Sequence, residues 1–142
     1  MIEAYKGDVD LSNFHDLLSE LSNIWDDLID KDKPVSDEQI NKAFKIALVC
    51  LPMNPVYKQL GEKMPVFFDL VISAFEVANL FESAGVDRYL QISYGLRNAA
   101  GHILVAAIKE RFNDADSKEI IAKLWAHIFT ESVDDYKKEH LI

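Results

Sequence analysis

The chain has one cysteine in 142 residues, so no intrachain disulfide can form, which fits a reducing compartment. That residue, Cys50, lies in the apolar run Ile46-Ala47-Leu48-Val49-Cys50-Leu51 and reads as a small buried hydrophobe. A Gly-rich phosphate loop, a Gly-x-Ser-x-Gly elbow and zinc-ligand spacing are all missing, which takes away the usual sequence grounds for P-loop, α/β-hydrolase and zinc-dependent chemistry. His15, His127 and His140 have no partner at metal spacing, and no Glu-x-x-His pair occurs. No metal or cofactor is therefore expected. Asp26, Asp27 and Asp30 read as a solvated face rather than a cation site.

The N-terminus lacks a basic region followed by an apolar stretch, and no apolar run is long enough to span a bilayer, so a soluble cytoplasmic protein is expected. Basic residues are scarce: 15 Lys and Arg stand against 24 Asp and Glu, a formal charge of −9. A field of that sign repels nucleic acid at long range and argues against a general nucleic-acid binder. Any phosphate site must be a local basic spot, and a basic protein is the natural partner.

Period-two alternation, internal repeats and low-complexity tracts are also absent, which leaves helices. Phe14, Leu17, Leu18, Leu21, Ile24, Trp25, Leu28 and Ile29 mark one stripe of a helix from Ser12 to about Asp30. Lys31-Asp32-Lys33-Pro34 should end it. Ser36 with Gln39 predicts a capping box and a second helix to about Leu51. Pro52 and Pro55 bracket a turn, and 55–64 is a short helix or loop weakened by Gly61. Pro65 suits a first helical position, and Val66, Phe67, Leu70, Val71, Ala74, Phe75, Ala78 and Phe81 form a broad apolar face. Gly85 is the predicted terminator and Asp87 a possible cap for a fourth helix to about Phe112. Asp116 with Glu119 should cap a last helix carrying Ile120, Ile121, Leu124, Trp125, Ile128, Phe129 and Val133. The sum is an all-α single domain over 1–142, a bundle of about five mostly antiparallel helices.

Within that fourth helix stand Arg97-Asn98-Ala99-Ala100-Gly101-His102. Metal-free cleavage of RNA needs a proton taken from the 2′-hydroxyl, one given to the leaving oxygen, and charge stabilised at phosphorus. His102 could move either proton. Arg97 could clamp the phosphate, and Asn98 could orient it. Gly95, Ala99, Ala100 and Gly101 permit close approach by a ligand or a second backbone. On a regular helix, five residues turn by roughly 500°, leaving Arg97 and His102 roughly 140° apart. Convergence requires a helix break near Gly95, a distortion at Gly101, or a dimer sharing one groove.

Leu96-Arg97-Asn98-Ala99-Ala100-Gly101-His102 resembles the signature of the HEPN superfamily. The resemblance implies a small helical homodimer and a metal-independent ribonuclease, or an RNA- or nucleotide-binding domain, of a toxin, phage-defence or RNA-processing system. It implies Arg97 and His102 as catalytic and Asn98 as binding. The competing expectation is a non-enzymatic acidic interaction module, such as an immunity protein, antitoxin-like partner or regulatory adaptor. A structural protein of a phage or larger assembly is a third option. In the non-enzymatic reading, Arg97 pairs with Asp69, Glu76 or Asp87, and His102 is buried against a backbone carbonyl.

Overall fold

The computed structural model describes residues 1–31 and 33–141, which are mostly helical, with no strand among them. Asp32, one of the four residues expected to end the first helix, lies outside the described residues. The chain divides into two compact units, Met1–Gly61 and Glu62–Ile142.

In the first unit, α1 spans Val9–Asp30. It begins earlier than Ser12 because the Asp8 side chain accepts from the Leu11 amide at 3.1 Å and so caps the exposed first turn. It ends at Lys31, whose φ of 58° leaves the helical region, three residues before Pro34. The capping box at Ser36 and Gln39 is present, and α2 spans Asp37–Lys45. The helix then widens into a π turn over Ile46–Cys50, with the Leu51 amide bonded to the Ile46 carbonyl, and tightens again as α3, Leu51–Met53. Pro52 accounts for the widening: it has no N–H for the ladder and its ring crowds the carbonyl four residues back.

Asn54 is the actual break. It caps α4 (Pro55–Leu60) by accepting from the Val56 amide at 2.8 Å, and donates to the Asp10 carbonyl at 3.1 Å. Tyr5, Leu11, Phe14, Leu51 and Val56 form the centre of this unit, all fully buried. His15 is buried too, with its Nδ1 2.7 Å from the Tyr5 hydroxyl. Phe44, Leu48 and Met53 stay exposed, as does Val49.

The second unit opens with α5, Lys63–Ala84. Pro65 is its third residue rather than its first, still within the turn whose amides have no helical partner. The broad apolar face resolves into two stripes. Met64, Val71, Phe75 and Ala78 are buried, whereas Val66, Leu70, Val77 and Leu80 are exposed. This is the one described helix long and apolar enough by composition to cross a membrane, which corrects the reading that no run reaches that length. Only 22% of its most apolar window is buried, and Asp69 and Glu76 sit within it, each costing about 2.5–3.5 kcal/mol at a bilayer centre.

Gly85, at φ 62°, closes α5, as its left-handed conformation requires. α6 (Asp87–Leu96) follows, packed along α5. Val86 occupies the capping position, with Asp87 one residue inside. The segment read as one helix to Phe112 is two, because Arg97–Ala100 is a turn and α7 spans Gly101–Arg111. α8 (Asp114–Ile128) is capped by Asn113, which accepts from the Asp116 amide at 2.8 Å, so Asp116 lies inside the helix. Phe129 ends α8, and α9 (Val133–His140) is a separate helix capped by Ser132.

Candidate functional site

The turn between α6 and α7 decides where the motif's side chains go. The amides of Asn98, Ala99, Gly101, His102 and Ile103 all bond to carbonyls three residues back, at 3.0–3.1 Å. Arg97 and Ala100 share φ near −60° and ψ of −22°, values of a 3₁₀ turn. Such a turn advances roughly 120° per residue, so five steps still leave Arg97 and His102 roughly 120° apart. The break near Gly95 exists, yet it does not turn the two side chains to one face.

Arg97 points to α5. Its Nε donates to Glu82 Oε1 at 3.2 Å and its Nη2 to Glu82 Oε2 at 2.5 Å and Asn79 Oδ1 at 2.6 Å. The guanidinium carbon lies 5.6 Å from the Phe75 ring centroid. Both members of the pair are largely buried, with side chains 17% and 10% exposed. The carboxylate partner is therefore Glu82, not Asp69, Glu76 or Asp87. Asp87 instead pairs with Lys137 at 2.8 Å, a hydrogen bond that holds its carboxyl below the usual range.

Glu82 anchors more than the arginine. The Tyr136 hydroxyl donates to Glu82 Oε1 and sits 2.8 Å from Ser93 Oγ, which is itself 3.1 Å from the Leu90 carbonyl. His140 Nε2 lies 3.9 Å from the same carboxylate. One acidic side chain thus ties α5, the α6–α7 turn and α9 together. Sequence reasoning missed Glu82, Asn79 and Tyr136. A capable signal was present in the apolar composition of α5, where Glu82 is a carboxylate among Leu80, Phe81 and Ala84.

Burial, then the Glu82 carboxylate, pushes the Tyr136 hydroxyl well above its ordinary value of 10.0. Burial, then Asp16, does the same to Tyr5. Above about pH 10 an unfolded chain releases these protons while the folded chain keeps them. Their contribution to stability is full below that pH and is lost as pH rises towards the raised values. In an alkaline titration, the last phenolates should form together with loss of the helical circular dichroism. Appearance of all five phenolates before any helix is lost would overturn this.

His102 takes a different direction. It is exposed and meets the Trp125 ring edge-on, centroids 5.0 Å apart, rather than being buried against a carbonyl. With Trp125 and Phe129 of α8, Phe67 and Leu70 of α5, and Gly95 and Ala99, it lines a groove of about 670 Å³. His102 is the one ionisable side chain among the groove's lining residues. Asn98 donates to the Tyr94 carbonyl at 3.0 Å, within its own turn. The structure thus places Arg97 in an internal ion pair, Asn98 on its own backbone and His102 on an apolar groove.

The two motif glycines also part company. A side-chain carbon on Gly101 would come within 2.7–2.9 Å of Trp125 and Ile128, whereas one on Gly95 would meet nothing within 4 Å. Close approach at Gly101 is by a tryptophan of the same unit. No group of three or more His, Cys, Asp or Glu that could hold a metal occurs among the described residues. No known family model, curated protein or solved structure matches the chain.

Proposed function

We propose that this protein is a non-enzymatic acidic interaction module of the immunity, antitoxin-like or adaptor kind, with the groove beside His102 receiving apolar side chains of a basic partner. The observation that carries the reading is the pairing of Arg97 with Glu82. A guanidinium held by a resident carboxylate and an amide is poorly placed to clamp a phosphate. The groove supplies no other cation to do so, and its lining is what apolar docking uses. A net charge of −9 steers a basic protein towards the molecule and turns RNA away.

Nile red emission tests the groove. The wild type should enhance it, and Gly95→Leu, which places a side chain in open space, should abolish the enhancement with the fold intact. Equal enhancement by both proteins would remove the groove from the reading.

A HEPN-type ribonuclease, homodimeric and acting on RNA, is the second reading. It is favoured by one observation: the turn at Arg97–Ala100 leaves the His102 imidazole exposed. Labelled RNA incubated with excess chelator separates the two. Cleavage to 2′,3′-cyclic phosphates, lost in Arg97→Ala and His102→Ala, would establish the enzyme; an uncut substrate supports the module.

A further inference from the structure

The exposed stripe of α5 is written in heptads. Val66, Leu70, Ser73, Val77, Leu80 and Ala84 follow one another at alternating steps of four and three, the spacing of a coiled-coil seam. All six are exposed, Leu80 to 68%, Leu70 to 61% and Val66 to 59%. From Val66 to Ala84, within the 22 residues of the helix, the seam runs about 27 Å. Isolated surface hydrophobes are ordinary, but an apolar ridge of this length, interrupted by Ser73 alone, marks a contact surface.

Charge says what covers it. Glu62, Asp69 and Glu76 are exposed and stand one heptad apart, beside the seam. These are the positions from which charged residues select a partner helix. On the other flank stand Phe67, Ala74 and Phe81. A second copy fits poorly in either direction. Antiparallel copies set the acidic row against itself. Parallel copies set it against the Phe67–Ala74–Phe81 row, where the carboxylates lose water and gain no partner.

We infer that α5 docks one amphipathic α-helix of a partner protein, with apolar residues at coiled-coil spacing and lysine or arginine beside them facing Glu62, Asp69 and Glu76. This deepens the interaction-module reading and rests on it, naming the class of partner; Leu70 belongs to both the ridge and the groove. The ridge and its acidic flank discriminate by charge between helices with equal apolar seams.

The test uses two synthetic four-heptad helices with identical leucine seams, one flanked by lysine and one by glutamate, labelled for fluorescence anisotropy with the full chain. The lysine helix should bind at least tenfold more tightly than the glutamate helix. Leu80→Asp, at an exposed position outside the groove, should weaken the lysine helix at least tenfold with the circular dichroism unchanged. The double variant Asp69→Lys/Glu76→Lys should invert the preference. Equal binding of both helices, or indifference to Leu80→Asp, overturns the inference. So does sedimentation equilibrium showing a dimer that Leu80→Asp dissociates, since a second copy would then hold the ridge. Failure here with Nile red still bound at the groove would remove the helix partner while leaving the groove reading in place.

Discussion

Glu82→Ala is expected to destabilise the second unit by about 3 kcal/mol, the cost of leaving one member of a largely buried ion pair alone. Arg97 would keep Asn79 but lose both contacts to the carboxylate, and Tyr136 would lose its acceptor. Glu82→Gln retains one carbonyl oxygen as acceptor and should cost less, about 1–2 kcal/mol. Replacing both partners with apolar residues, Glu82→Leu with Arg97→Met, should recover most of the loss, because neither charge is then stranded. Urea unfolding followed by Trp125 emission in a Trp25→Phe background reports on this unit alone. A Glu82→Ala midpoint indistinguishable from the parent would overturn the account of the network.

The second large effect separates two glycines that look equivalent in the sequence. Gly101→Val should cost about 2 kcal/mol, since its branched side chain must displace the Trp125 ring or Ile128 in a filled interior. Gly101→Ala should also lose stability, the clash outweighing the gain in helix propensity of about 1 kcal/mol. Gly95→Ala meets no atom and should instead stabilise α6 by up to about 1 kcal/mol. Thermal melts of the three variants decide it. A stabilised Gly101→Ala would show that the contact with Trp125 yields freely.

Much of the fold was legible because helices announce themselves locally. The capping box at Ser36 and Gln39, the terminator at Gly85 and the apolar spacing of α1 depend on residues within a turn or two of one another. The errors arose where a local signal had competitors. Asn113 and Asp116 both look like caps, and the one whose oxygen reaches a free amide is Asn113. Around Arg97 the signal for a break is weak: Gly95 and Gly101 permit one without requiring it, and Asn98, Ala99 and Ala100 are all tolerated in a helix.

The site was legible as a motif but not as an arrangement. Arg97 and His102 are five residues apart in the chain, yet their partners are 15 and 23 residues away, at Glu82 and Trp125. No periodicity argument selects Glu82 over Asp69, Glu76 or Asp87. The choice depends on how α5 is rotated against α6, which is settled by Val71, Phe75 and Ala78 going inside. The same rotation leaves Val66, Leu70, Val77 and Leu80 outside, a division that a single broad apolar face conceals.

The π turn at Ile46–Cys50 fixes the phase of the chain that follows it. Relative to an α ladder it holds one residue more, and one residue is about 100° of rotation. That offset delivers Leu51 to the interior, where it is fully buried, and leaves Asn54 to close the segment. Wound as an unbroken α ladder, the same residues would put Cys50 in the angular place of Leu51, and the unit would exchange a core leucine for a thiol. The helix therefore carries an insertion in its register, and lineages that differ in length between Ser36 and Asn54 should differ there first.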